Sequence, residues 1–183
     1  MKLAIFDMDG TLYNTNDVNY FAYKEALNTF GVDLDYDYYC NYCNGRHYKV
    51  FIPPLVDNDE EKIEEVHKIK KNAYSKYLDK VKVNERLFDI IRLIKDEYKI
   101  ILVTTASKKN TEEILKYTKK IELFDDIITA DDISKPKPDP EGFNLAIQRF
   151  NVDPKNAIIF EDAEVGIEAA RKTGAVIFKV EKF

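Results

Sequence analysis

Five short apolar runs divide this chain, and the last four are separated by stretches with helical spacing. The runs are KLAIF (Lys2–Phe6), KIILVT (Lys99–Thr104), DIITA (Asp126–Ala130), AIIF (Ala157–Phe160) and AVIFKV (Ala175–Val180). Runs this short and this continuously apolar predict strands buried on both faces. Helices are predicted between them at Asn84–Glu97, Lys108–Tyr117, Glu141–Phe150 and Glu164–Lys172. Asn84 is a suitable N-cap, and Pro140 suits a first helical turn. Strands alternating with helices imply an α/β fold, a parallel sheet with helices on both faces.

The first run is set apart from the others by a long segment with a helix-only pattern. Asn16–Phe30 reads as a helix stopped by Gly31. Asp35–Val50 also reads as helical, and Pro53-Pro54 breaks the chain. Asp57–Leu78 reads as a long charged helix with Ile63, Val66, Ile69, Ala73 and Tyr77 along one stripe. This is far more chain than one crossover needs. The expected organisation is a core of residues 1–13 and 81–183, with 14–80 inserted as a small helical domain. The chain shows no internal repeat or low-complexity segment.

The 183 residues, 45% hydrophobic and 33% charged, suit a soluble globular protein. A net charge of −5 argues against general nucleic-acid or anionic-membrane binding. No apolar run approaches the roughly 20 residues of a membrane span. Asp7 and Asp9 interrupt the N-terminal run, so it does not read as a signal peptide, and a cytoplasmic location is expected. Cys40 and Cys43 form a lone C-x-x-C in an aromatic-rich stretch. A zinc site would need a second pair, so both read as ordinary residues rather than a zinc or redox pair.

Chemistry gathers at the ends of the apolar runs. In an open parallel sheet, ligands bind beyond the carboxyl ends of the strands, where the strand order reverses. Asp7 and Asp9 follow the first run, Thr104 and Thr105 the second, and Lys135 lies after the third; Glu161 and Asp162 follow the fourth. Two carboxylates at the mouth of an apolar strand are costly without a cationic partner. Acidic oxygens favour Mg²⁺, which also attracts phosphate. One carboxylate can attack phosphorus, and a second, two residues on, can protonate the leaving oxygen and then activate water. A lysine and a hydroxyl can stabilise charge on the transferring phosphoryl oxygens.

Four separated motifs carry a resemblance that spans nearly the whole chain: DMDGT, VTTAS, SKPKPDPEGF and IIFEDAEVGIEAA. Together they resemble the haloacid dehalogenase superfamily, in its phosphatase and β-phosphoglucomutase-like branch. The resemblance implies a Rossmann-like core with a helical cap of the first type, formed by the early insert. It implies Asp7 as nucleophile and Asp9 as acid/base. Thr105, rather than Thr104, fits the hydroxyl position, because Thr105-Ala106-Ser107-Lys108 has the family's hydroxyl, small residue, then Ser-Lys. Lys135 stands ahead of the Pro-x-Pro. Mg²⁺ would be held by Asp7, the backbone carbonyl of Asp9, and Asp162, with Glu161 acting through water. Thr105, Ala106, Lys135 and, from the insert, Arg46 would contact substrate. Arg46, His47 and Lys49 lie near the Gly45 turn and read equally as surface residues. The basic run His67–Lys71 reads as a solvated helix face.

The expected function is Mg²⁺-dependent hydrolysis of a small phosphate monoester by a monomer or weak dimer. A sugar phosphate, phosphoglycolate and a nucleotide all fit. The alternative is a β-phosphoglucomutase-like phosphomutase. In that branch a cap-helix histidine assists transfer, and the matching position here is Asn19, although Thr15 matches that branch's hydroxyl. A haloacid dehalogenase would need neither Mg²⁺ nor the Asp9 carboxylate. A non-enzymatic binding protein would have lost catalytic groups.

Overall fold

The computed structural model describes residues 1–183 apart from Gly45 and Lys182. The elements run β1 (Lys2–Phe6), β2 (Tyr13–Asn14), α1 (Asn16–Asn28), the single-turn α2 (Tyr36–Tyr38), α3 (Tyr48–Phe51), α4 (Glu60–Ala73), β3 (Lys82–Val83), α5 (Glu85–Ile94), β4 (Tyr98–Val103), α6 (Lys108–Tyr117), β5 (Asp126–Ile128), α7 (Glu141–Arg149), β6 (Ala157–Glu161), α8 (Glu164–Arg171) and β7 (Val176–Lys179). The chain divides into two compact units, Met1–Asn14 with Lys82–Phe183, and Thr15–Val81.

The first unit is built on a five-stranded parallel sheet of order β5-β4-β1-β6-β7. The chain moves outward from β1 through β4 to β5, then returns to the other side of β1 as β6. Strand order therefore reverses between β1 and β6, which opens a crevice at their carboxyl ends. β1 sits at the centre, with Leu3 paired to Lys99 on one side and Ala157 on the other. Its residues Leu3–Phe6 are fully buried, which is why the run is apolar without alternation. Leu3, Ile5, Ile101 and Val103 face a core closed by Phe143, Ala146 and Ile147 of α7 and Ala169 and Ala170 of α8. On the opposite face Phe6 and Phe160 stack at 4.3 Å.

The two crossings to the second unit are themselves paired. Tyr13 lies opposite Val83 and Asn14 opposite Lys82, in an antiparallel pair too short to show a periodicity. Asn84 caps α5, accepting from Leu87 N, and its Nδ2 donates to Thr11 O at 3.1 Å.

The second unit is helical, around an aromatic core that includes Tyr20, Tyr23, Leu27, Tyr39, Phe51 and Val66. The single helix expected over 35–50 is broken. α2 runs into a π-helical turn at Tyr39–Cys43, Asn44 is extended, and α3 starts afresh after His47, whose Nδ1 accepts from Lys49 N. The helix expected over 57–78 is also shorter. Asp57 and Asn58 have φ of 57° and 58°, outside the helical region, so α4 begins only after Asp59. Asp59 caps it through Glu61 N and Lys62 N, and Tyr74–Lys80 tightens into 3₁₀ turns. Among the described residues no helix is long and apolar enough to cross a membrane.

His67, read as part of a solvated face, is instead packed flat on Tyr48 at 3.8 Å, with a buried Nδ1 that has no hydrogen-bond partner among the described residues. Burial, and then the charges of Lys70 and Lys71, push its pKa down from 6.5 to about 4. The unfolded chain thus takes up a proton near pH 6.5 that the folded chain refuses until about pH 4. Stability from this site is complete above that window and is lost as pH falls through it. His67→Phe keeps a ring on Tyr48 and removes the titration. Its melting temperature should fall less than wild type between pH 7 and pH 4; equal falls would contradict the assignment.

Candidate active site

The site is assembled at the switch point, where β1 and β6 end side by side. Asp7 continues β1, its N–H donating to Phe160 O at 3.0 Å, and its side chain is buried. The chain then closes a tight loop. Met8 O accepts from Leu12 N and Tyr13 N, and Gly10 N donates to Tyr13 O at 2.7 Å. Gly10 has φ +95°, and a Cβ there would lie 2.2 Å from Asp162 Oδ2. The position therefore requires glycine both for its backbone and for the approach of Asp162. Thr11, fully buried, donates to Asp162 Oδ1 at 3.0 Å and ties this loop to the end of β6.

Glu161 is 1% exposed. Its Oε1 accepts from Asp162 N at 3.1 Å and Ala163 N at 3.0 Å. An added Cβ on Gly166 would sit 2.1 Å from the Glu161 carboxyl carbon, so α8 leaves room for that carboxylate. The cation that meets these acids is Lys137. Its Nζ donates to Asp7 Oδ1 at 2.5 Å and Glu161 Oε2 at 2.7 Å, and lies 5.0 Å from the Phe143 ring centroid.

This corrects the expectation of Lys135. That side chain is exposed, and its backbone N–H is held by Glu141 Oε2 at 2.8 Å. The motif SKPKPDP contains Lys-Pro twice, and the second copy brings its ammonium to the carboxylates.

Electrostatics follow from crowding. Burial raises the Glu161 carboxyl, the Asp7 charge adds to this, and Lys137 opposes both, for a net rise to about 7. Asp162 is also raised, by burial and then by Asp7. Burial works against the Lys137 ammonium, but the Asp7 and Glu161 charges outweigh it and its pKa is up. Asp7 Oδ2 is buried and has no hydrogen-bond partner among the described residues. Oxygens of Asp7, Glu161 and Asp162 lie within 4.8 Å of one another. With all three ionised, three carboxylates against one ammonium leave an excess that a single divalent cation neutralises. An all-oxygen donor set suits Mg²⁺, so the residues fit that ion. Both Glu161 oxygens are already engaged, which leaves Asp7 Oδ2 and Asp162 as the freer donors.

The other expected residues lie as follows. Asp9 is half-buried, two residues past Asp7, and its backbone bridges to Tyr13. Thr104 is buried and its hydroxyl accepts from Ala106 N at 3.0 Å, whereas Thr105 is exposed. The Thr105 loop is braced from the turn after β5, by Ala130 N on Ala106 O and by Asp131 Oδ2 on Lys108 N, both 2.9 Å. Arg46 belongs to the second unit and is exposed; the neighbouring Gly45 lies outside the described residues. Cys40 is exposed and Cys43 buried, both as free thiols. Sequence reasoning did not single out Gly166; a Gly five residues past a buried acid was the available signal.

An acidic cluster that could hold a cation and a lysine that bridges two of its carboxylates meet at the switch point of a parallel sheet. The haloacid dehalogenase-like hydrolase family matches residues 4–180, and the chain belongs to it. It is 34% identical over 184 residues to the validoxylamine A 7'-phosphate phosphatase of Streptomyces hygroscopicus subsp. limoneus, covering 94% of this chain and 82% of that one. It is 31% identical over 187 residues to the pyrophosphatase PpaX of Bacillus cereus, covering 96% and 83%. Among solved structures, CbbY from Rhodobacter sphaeroides in complex with phosphate superposes with a TM-score of 0.85 at 25% identity, covering 100% of this chain and 88% of that one. The protein is a hydrolase of the phosphatase kind.

The two lysines separate in a stability measurement. Lys137→Met strands two buried carboxylates, and in metal-free buffer should cost up to about 3–5 kcal/mol of unfolding free energy. Lys135→Met should change it by less than about 0.5 kcal/mol. Equal losses would contradict the placement of Lys137.

Proposed function

We propose that the protein hydrolyses a small phosphate monoester with Mg²⁺ through a phosphoryl group carried on Asp7. The observation that carries this reading is the buried, unpartnered Asp7 Oδ2 beside Lys137 and Asp162. Asp7 would use one carboxylate oxygen for the cation and the other, as Lys137 releases it, to attack phosphorus, with the strand end holding the group in place. Asp7, the Asp9 carbonyl and Asp162 would hold Mg²⁺, which when bound supplies positive charge against the phosphoryl oxygens.

The chain's own residues then divide the work. An Asp7 oxygen forms a bond to phosphorus as the ester P–O bond breaks, and Asp9 gives its proton to the departing oxygen. Water next attacks phosphorus and loses a proton to Asp9, the Asp7–phosphorus bond breaks, and orthophosphate leaves. Lys137 replaces its bond to Asp7 with bonds to phosphoryl oxygens while Glu161 keeps it in place. Thr105 and the Ala106 N–H would cradle the same oxygens. The helical unit, inserted directly after the nucleophile loop, would act as the cap and supply specificity, with Arg46 as one contact.

The substrate class is a sugar phosphate, phosphoglycolate or a nucleotide. Hydrolysis is favoured over phosphomutase transfer by Asn19, whose amide donates to Thr15 Oγ1 at 3.1 Å and has no basic nitrogen to offer. The reading places the enzyme in the cytoplasm, as a monomer or weak dimer.

Asp9→Asn removes the proton carrier and should lower kcat roughly 10²–10⁴-fold. Wild-type turnover in that variant would contradict its role. EDTA should abolish activity and Mg²⁺ restore it, and Asp162→Asn should need more Mg²⁺ for half-maximal rate. Full activity in EDTA would remove the metal from the account. Given β-glucose 1-phosphate and catalytic glucose 1,6-bisphosphate, any product should be free phosphate. Rapid glucose 6-phosphate formation with little phosphate would establish a mutase instead.

A further inference from the structure

Lys137 reaches the carboxylates from the loop between β5 and α7, and bonds to one residue converge on that loop's start. Glu141, the first residue of α7, accepts from Ser134 N at 2.9 Å and from the Ser134 hydroxyl at 2.9 Å. It also accepts from Lys135 N at 2.8 Å. The Ser134 N–H and hydroxyl, with the Lys135 N–H, hold the Glu141 carboxyl below its ordinary pKa, and the helix N-terminus also favours its charge. The far side of the loop is tied by Glu141 N on Asp139 Oδ1 and by Lys172 Nζ on Pro138 O. Two residues into α7, Phe143 underlies the Lys137 ammonium.

The loop offers two lysines in equivalent local sequence, Lys135-Pro136 and Lys137-Pro138. A slip of one Lys-Pro unit moves a lysine along the chain by about 7 Å, beyond hydrogen-bond reach of Asp7. Local sequence does not select between the copies, so the selection comes from where the loop is anchored. We propose that Glu141 is a positioning residue: by clasping the N–H groups of Ser134 and Lys135 it fixes the register that delivers Lys137 to Asp7 and Glu161. The kinetic consequence rests on the function proposed above; the lysine placement does not.

Reductive methylation with formaldehyde and cyanoborohydride, mapped by peptide mass spectrometry, reads placement without activity. In wild type Lys135 should react fast and Lys137 slowly. In Glu141→Ala Lys137 should join the fast class. Glu141→Gln, which keeps one acceptor oxygen and serves if the alanine variant misfolds, should fall between. Kinetically, Glu141→Ala should lower kcat about 10- to 100-fold. In a Lys137→Ala background the same change should alter kcat by less than about twofold, because the clasp acts through that lysine. Continued protection of Lys137 in Glu141→Ala and Glu141→Gln, or equal fold-losses in the two backgrounds, would overturn the proposal. Exposure of Lys137 with unchanged kcat would uphold the clasp and overturn the catalytic role of Lys137 instead.

Discussion

The site depends on one buried ammonium set between two buried carboxylates. Asp7 and Glu161 end adjacent parallel strands, and at that distance from water their charges repel at a high cost. Lys137 compensates them, and the rest of the site follows from keeping it there. Phe143 lies beneath the ammonium, Glu141 holds the start of its loop, and Gly166 leaves space for the Glu161 carboxylate. The balance is incomplete, since Glu161 remains raised to about 7 and Asp7 Oδ2 has no partner. That residual imbalance is what makes the site fit a divalent cation.

Sheet topology brings these groups together cheaply. Because β6 returns beside β1 after β4 and β5 have been laid on the other side, two strand ends distant in sequence become neighbours. Asp7 N extends the ladder to Phe160 O, so the Asp7 backbone is fixed by the same hydrogen bonds that make the sheet. Thr11 then joins the two loops through Asp162, and Asn84 joins the first loop to α5 through Thr11 O. Asp7 and Glu161 thus rest on a deeply buried part of the unit, which suits a preorganised site.

Much of this was legible in the amino-acid sequence, for identifiable reasons. Central strands buried on both faces cannot alternate, so KLAIF and AIIF stand out without ambiguity. α6 begins and ends where its pattern places it, because Ser107 caps it and Lys108–Tyr117 keeps one buried face of Asn110, Thr111, Ile114 and Leu115. The lysine was not legible, since two Lys-Pro dipeptides two residues apart look alike, and the contacts that distinguish them, Glu141 on Ser134 and Lys135, Phe143 under Lys137 and Lys172 on Pro138 O, exist only in the folded chain. The helical unit was misread at 35–50 because its interruption is made by caps competing locally, with His47 starting a new turn where periodicity alone would continue. The β2–β3 pair is two residues long on each side, below the length at which any period shows.

The proposed chemistry turns on Asp7 carrying the phosphoryl group. A phosphate ester that the enzyme turns over, mixed with it in the presence of Mg²⁺ and quenched in acid within a single turnover, allows the intermediate to be mapped by peptide mass spectrometry. One phosphoryl group is expected on the peptide containing Asp7, formed and lost at rates that match turnover, and none in Asp7→Asn. Phosphate released in a single turnover with no phosphorylated Asp7 at any quench time, or with the group on another residue, would contradict it.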